Sequence, residues 1–274
     1  MQLSASIRTV RRFPDRQSAD DVLAVEEPLE IRIDGDPLAV TMRTPGHDED
    51  LAAGFCWTEG VVDHPDQIER VSPCTQAQFG NVVDVILADD VRQSRSRHVD
   101  AARRELYMSS SCGLCGTSSI ERIRKRVQPF QGKFSIAASM LKELPMKMQA
   151  GQHAFALTGG LHAAAWFSEE GELQLLREDV GRHNAVDKLA GAMLLSGQLA
   201  ERPGVLLVSG RVSFELIQKA ARARLPILAA MGAPTTLAVD AAREFGMTLI
   251  GFLKPDGRFN IYADSGRVGI NDAG

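Results

Sequence analysis

Two cysteines separated by two residues, Cys112 and Cys115, stand in the run Ser109-Ser110-Ser111-Cys112-Gly113-Leu114-Cys115-Gly116-Thr117-Ser118-Ser119-Ile120-Glu121. Ser118 and Glu121 have the spacing of a capping box, so a helix is predicted to begin just after the second thiol. The unpaired amides and partial positive charge of a helix N-terminus favour a thiolate, holding a cysteine below its usual pKa of about 8.5. A nucleophilic sulfur at neutral pH is the chemistry this predicts. Gly113 and Gly116 leave the backbone open to close approach by a partner protein or a bulky cofactor.

Several readings fit such a pair. A sulfur carrier would use one thiolate to accept sulfur as a persulfide and pass the outer atom on. A thioredoxin-like redox pair uses the same spacing, directly at a strand-to-helix junction of a small domain. A zinc site needs two further soft or imidazole ligands, and the sequence supplies neither a second CxxC nor a closely spaced histidine pair. Two thiols that merely pack would fit poorly in a loop with almost nothing apolar beside Leu114. The other cysteines are Cys56, read as a buried structural thiol in the apolar stretch 51–57, and Cys74, to which no role is assigned.

The elements that must position this loop come from a chain of 274 residues, 44% hydrophobic and 24% charged, with ample material for a core. Four cysteines in such a chain argue against a disulfide scaffold. The net charge of −4 gives no basic footprint for nucleic acid, and no apolar run is long enough to predict a membrane span or a secretory signal. A cytoplasmic protein is expected.

Residues 29–44 alternate apolar and polar around Asp34-Gly35, which predicts a hairpin. Thr44-Pro45-Gly46-His47-Asp48 follows as a turn with Asp48 as helix cap, then a helix from Leu51 that stops near Gly60. Residues 81–87 read as a strand, and 89–104 as a polar, arginine-bearing surface stretch. Beyond residue 130, strands alternate with amphipathic helices. Residues 162–167 and 172–176 form a predicted strand pair, and a helix with one apolar face carries Val186, Leu189 and Met193. A βαβαβ run is then predicted: strand 204–208, helix 214–224, strand 226–231, helix 235–245 and strand 247–253. That pattern predicts crossover connections and a mostly parallel sheet.

Three further clusters could do chemistry. Glu178-Asp179-Val180-Gly181-Arg182-His183-Asn184 places charges and an imidazole at a predicted helix start, suited to a phosphate or to positioning a thiol, or simply to capping. Ser209-Gly210-Arg211 lies at the carboxyl end of a predicted parallel strand, where open α/β sheets bind ligands. His162 follows Thr158-Gly159-Gly160-Leu161 and reads most simply as a satisfied structural histidine.

The segment Ser110-Ser111-Cys112-Gly113-Leu114-Cys115-Gly116 resembles the signature of the FdhD family, sulfurtransferases needed for active formate dehydrogenase. Glu27-Pro28-Leu29, Thr44-Pro45-Gly46-His47-Asp48, Thr158-Gly159-Gly160, residues 178–185, Ser209-Gly210-Arg211 and Thr248-Leu249-Ile250-Gly251-Phe252 carry the likeness across nearly the whole chain. The resemblance implies a protein that receives persulfide sulfur from a cysteine desulfurase. It then delivers that sulfur to molybdenum or tungsten bis(molybdopterin guanine dinucleotide), abbreviated bis-MGD, destined for formate dehydrogenase. By the same resemblance Cys112 carries the persulfide, Cys115 assists transfer or release, and Phe252, Leu253, Lys254, Pro255, Asp256 and Gly257 contact the cofactor. The family more often has arginine where this chain has Lys254, a point charge without the bidentate fork.

The resemblance also implies an α/β fold in two parts. Residues 1–130 would form a smaller α+β domain ending in the CxxC loop and its helix. Residues 131–274 would form a larger, cytidine-deaminase-like, cofactor-binding domain, and the whole a homodimer. Deaminase chemistry is not implied, because Ala163 and Ala164 follow His162 where a general acid or base would be needed. The rival functions are a cofactor chaperone that passes no sulfur and a thiol redox protein.

Overall fold

The computed structural model describes residues 4–74, 81–89, 91, 127, 130, 132–199 and 203–269. The CxxC loop and most of the arginine-bearing stretch lie outside the described residues. The chain opens with an antiparallel ribbon, β1 (Ala5–Arg12) against β2 (Gln17–Ala24). The predicted hairpin follows: β3 (Glu27–Ile33) pairs antiparallel with β4 (Asp36–Arg43) around Asp34 and Gly35, both at positive φ. Together with β5 (Ile68–Pro73) and β6 (Val82–Leu87) they make a four-stranded sheet of order β4-β3-β6-β5. Its inner face carries Leu29, Ile31, Ile33, Val83, Val85 and Leu87, the period-two alternation of a half-buried sheet.

Helix α1 (Asp48–Thr58) separates β4 from β5. The expected cap is not Asp48: the N-cap is His47, in the left-handed conformation and without a side-chain cap. The Asp48 carboxylate is occupied by Arg43, whose Nη2 lies 2.8 Å from Oδ2 and Nε 3.0 Å from Oδ1. Gly60, at φ 72°, follows the helix end as predicted.

The second half begins with β7 (Ile136–Ala137) and three short helices, α2 (Ala138–Leu141), α3 (Leu144–Gly151) and α4 (His153–Thr158). The predicted strand pair is β8 (His162–Phe167) with β9 (Leu173–Asp179), followed by α5 (Arg182–Leu195). The βαβαβ run is β10 (Val205–Val208), α6 (Phe214–Arg222), β11 (Ile227–Ala230), α7 (Thr236–Glu244) and β12 (Thr248–Gly251). Strands β13 (Asn260–Ala263) and β14 (Val268–Gly269) close the described chain.

The expected mostly parallel sheet is instead mixed, with order β13-β12-β11-β10-β8-β9. Only β10-β11 and β11-β12 are parallel, where α6 and α7 supply the crossovers. The flanks β8-β9, β8-β10 and β12-β13 are antiparallel. The connections β8 to β9 and β12 to β13 carry no helix to return the chain, and a short loop permits only antiparallel pairing.

Alternation in this sheet feeds two cores. Ala164, Trp166, Leu206, Val208, Leu228, Ala230 and Leu249 face one continuous core with α5, α6, α7, α1 and the four-stranded sheet. Ala163, Ala165, Phe167, Val205, Leu207, Ile227, Ala229 and Ile250 face a second core with Leu141, Leu144 and Met148 of α2 and α3. Strands buried on both faces read as unbroken apolar runs, which is why β10, β11 and β12 were legible. No helix among the described residues is long and apolar enough to cross a membrane.

Candidate functional site

One end of the six-stranded sheet collects most of the singled-out residues. Strands β10, β11 and β12 end there, at Ser209-Gly210-Arg211, Met231-Gly232 and Phe252. Because β8 runs antiparallel to β10 and β9 antiparallel to β8, the start of β8 and the end of β9 fall at the same edge, with His162 opposite Asp179. Two residues beyond Asp179, Gly181 N-caps α5 without a side-chain cap, so Arg182 and His183 open the helix at this edge.

Close backbone approach shapes the edge. The Ser209 amide donates to the Ala163 carbonyl (3.0 Å), the Ala163 amide donates to Ser209 Oγ (3.0 Å), and that hydroxyl lies 3.4 Å from His162 Nδ1. A Cβ added at Gly210 would sit 3.4 Å from the His162 ring and 3.6 Å from Arg182 Cδ. One added at Gly232 would press to 2.8 Å from the Gly210 carbonyl oxygen. The Phe252 amide donates to the Gly232 carbonyl (3.1 Å), which joins the predicted cofactor segment to the same rim.

Electrostatics single out Arg182. Its Nε is buried and has no hydrogen-bond partner among the described residues. A buried guanidinium N–H left unpaired costs free energy unless something accepts from it, so the position is suited to an anionic ligand. His162, half-buried beside it, is held below its ordinary pKa by desolvation and then by the Arg182 charge, with Asp179 opposing. His183 turns elsewhere, to Ser213 Oγ (3.2 Å) and Glu215 Oε2 (3.0 Å) on α6 and its N-cap. That hydrogen bond is the main reason the Glu215 carboxyl is held below its usual range.

The rest of the 178–184 cluster builds the frame. Glu178 accepts from the amides of Ala154 and Phe155 at the start of α4. Asp179 is fully buried, paired with Lys188 Nζ at 2.7 Å, and accepts from the amides of Thr44 and Gly181 and from Asn184 Nδ2. Lys188 also donates to the Thr44 carbonyl, and Asn184 to the Met42 carbonyl. The turn 44–48 is thereby fastened to α5. Arg211 is exposed, with no ion pair among the described residues, as a surface arginine would be.

Within the predicted cofactor segment, Phe252 sits at positive φ and is 40% exposed, whereas Leu253 is fully buried. Lys254, Pro255, Asp256 and Gly257 form an exposed turn closed by the Lys254 amide donating to the Arg258 carbonyl and the Gly257 amide to the Lys254 carbonyl, both 2.9 Å. Lys254 Nζ stands 6.0 Å from the Phe252 ring centroid, and Asp256 is paired with Arg258 at 2.7 Å. Leu253 therefore acts as an anchor rather than a contact. Cys112 and Cys115 lie outside the described residues. Cys56 is buried, as expected, and Cys74 half-buried.

The model of the FdhD/NarQ family matches residues 24–269. The chain belongs to the FdhD/NarQ family. Among FdhD relatives, the protein of Streptomyces avermitilis named sulfur carrier protein FdhD is 48% identical over 261 residues, covering 92% of this chain and 91% of that one. The Mycobacterium tuberculosis protein of the same name is 45% identical over 276 residues, covering 95% and 98%. A crystal structure named for a formate dehydrogenase accessory protein from Desulfotalea psychrophila superposes with a TM-score of 0.75 at 22% identity, covering 97% of this chain and 98% of that one. At that identity the likeness concerns the fold, a mixed α/β arrangement with several sheets.

Sequence reasoning did not foresee Gly232, the pairing of His183 with Glu215, or Lys188 and Lys219 as buried cations. Only Gly232 carried a local signal, as the glycine immediately beyond a buried strand.

Proposed function

We propose that this FdhD/NarQ protein is a sulfurtransferase of the cytoplasm. Cys112 takes sulfur from a cysteine desulfurase as a persulfide, and the protein passes it to Mo/W-bis-MGD, its acceptor substrate, for use by formate dehydrogenase. In loading, the Cys112 thiolate attacks the outer sulfur of the donor's persulfide. The donor S–S bond breaks, the donor cysteine leaves as a thiolate, and a new S–S bond forms on Cys112. Cys115 assists onward transfer or release.

The observation that carries the acceptor half is the orphaned, buried Arg182 Nε beside Gly210 and the start of α5. A guanidinium with a free donor, a glycine-lined approach and a helix N-terminus together suit a phosphate. The exposed Phe252 on the same rim suits stacking on a guanine base, and Lys254 supplies a point charge for phosphate. We assign nucleotide binding to a cytidine-deaminase-like domain of residues 131–274, and the CxxC loop to the end of a domain of residues 1–130. A homodimer would suit a substrate with two nucleotide arms.

GDP, the nucleotide arm of bis-MGD, is the probe for the acceptor half. Calorimetric titration should give saturable binding that weakens roughly tenfold or more in Arg182→Gln, the loss of one charge-assisted hydrogen bond. Phe252→Ala should weaken it as well. Undiminished GDP binding by both variants would remove this edge from the mechanism.

A further inference from the structure

At the opposite end of the same sheet lies a cavity of about 320 Å³ lined by Lys133, Phe134, Ser135, Glu169, Ser265 and Arg267, among others. Strand β12 runs from this end, at Thr248, to the Phe252 rim. The turn Asp264-Ser265-Gly266 is pinned beside the strand's start, where the Ser265 amide donates to Thr248 Oγ1 (3.2 Å) and the Gly266 amide to Asp264 Oδ1 (2.8 Å). That turn delivers Arg267, whose carbonyl accepts from the Ile136 amide (2.9 Å) where β7 pairs with β14.

Arg267 is 9% exposed, yet it forms no ion pair among the described residues. One guanidinium nitrogen donates to the Gly246 carbonyl (2.7 Å), another to the Phe130 carbonyl (3.3 Å), and the Phe130 ring lies 5.3 Å away. Those partners hold the plane in place without neutralising it, and a guanidinium carries five N–H donors. The desolvated charge is felt, since burial alone pushes the Arg267 pKa down. A buried cation with no counter-charge among the described residues is a position suited to an anion. Lys133, on the same lining, also has no ion pair among the described residues.

We propose that this cavity binds the phosphate group of free phosphate or of a small phosphorylated metabolite. The fixed guanidinium fork, the exposed Lys133 ammonium and the hydroxyls of Ser135 and Ser265 are the donor set that a tetrahedral oxyanion needs. The exposed Glu169 carboxylate on the lining offsets one of the two cations, so the site suits a single phosphate rather than a polyphosphate. The volume exceeds what a phosphate alone occupies and leaves room for a small organic body.

Calorimetric titration at constant ionic strength, with chloride as the balancing anion, tests the site using inorganic phosphate and ribose 5-phosphate as probes. Saturable binding of at least one probe is expected. It should weaken roughly tenfold or more in Lys133→Gln and in Arg267→Gln and stay unchanged in Arg70→Gln, an exposed arginine of β5 outside both sites. Tighter binding of the ester would mark a metabolite site, and equal binding a free-phosphate site. Absence of saturable binding to either probe, or binding that survives in Lys133→Gln, overturns the proposal. Lys133 is exposed, so that variant decides the matter even if Arg267→Gln fails to fold.

Discussion

Gly54 of α1 and Gly191 of α5 meet backbone to backbone. A Cβ on Gly54 would collide with the Asp187 carbonyl oxygen and come within 2.7 Å of the Gly191 nitrogen; one on Gly191 would collide with the Asp50 carbonyl and come within 2.7 Å of the Gly54 nitrogen. This reciprocal contact couples the N-terminal sheet, through α1, to the helix that presents Arg182. Gly54→Ala and Gly191→Ala should each destabilise by about 3 kcal/mol or more, since helix backbones cannot relax as a side chain would. Gly197→Ala, with open space around its Cβ but a φ of 74°, should cost only about 1 kcal/mol. Urea unfolding of the three variants checks the order.

Lys219 on α6 is the second tie between these layers. Its Nζ lies 2.9 Å from Asp187 Oδ1, 2.6 Å from Glu59 Oε1 and 3.0 Å from Thr58 Oγ1, with Asp187 and Thr58 buried and Glu59 partly exposed. Desolvation opposes its charge, but Asp187 and Glu59 outweigh it, so the ammonium is held well above its ordinary pKa. Burial in turn raises the Asp187 carboxyl despite Lys219. Lys219→Met should cost about 3–5 kcal/mol by stranding Asp187, and Asp187→Asn added to it should recover part of the loss. A double-mutant cycle with no coupling between the two positions would contradict this reading.

His162 offers a pH-dependent readout of the acceptor edge. Its folded pKa lies below the ordinary value of about 6.5, so the unfolded chain binds its proton more readily than the folded one. Its contribution therefore favours the folded state above that value and turns against it as pH falls through the folded pKa. NMR titration should show the ring neutral at pH 7 with a midpoint below 6.5, and Arg182→Gln should raise that midpoint. A midpoint indifferent to Arg182 would separate the two side chains electrostatically.

The sequence revealed the central βαβαβ run because β10, β11 and β12 are short apolar strands buried on both faces. It did not reveal the antiparallel flanks, since periodicity carries no strand direction. Nor did it separate Arg182, which faces the edge, from Asp179 and Glu178 beside it, which are spent on backbone amides. Their roles follow from the His162–Asp179 register and from Thr44, 135 residues away from Asp179, contacts that no local pattern encodes. Lys188 and Lys219 were hidden for the same reason, because a lysine on a helix reads as solvated until its partner is known.

Cys56 provides an internal control for thiol chemistry. Burial first, and the Asp187 carboxylate second, push its thiol up to about 12, and its side chain is fully enclosed. Alkylation of the native protein with iodoacetamide near pH 8 should leave Cys56 unmodified while modifying Cys112. Appreciable labelling of Cys56 without unfolding would contradict its placement.

Sulfur carriage itself is tested most directly by incubating the protein with a cysteine desulfurase and free cysteine, then weighing its cysteine-bearing peptides. One additional sulfur atom is expected on the Cys112 peptide, absent in Cys112→Ala, with a matching loss of formate dehydrogenase activation by that variant. An intramolecular Cys112–Cys115 disulfide as the only product, or a Cys112→Ala protein that activates the dehydrogenase undiminished, would contradict it.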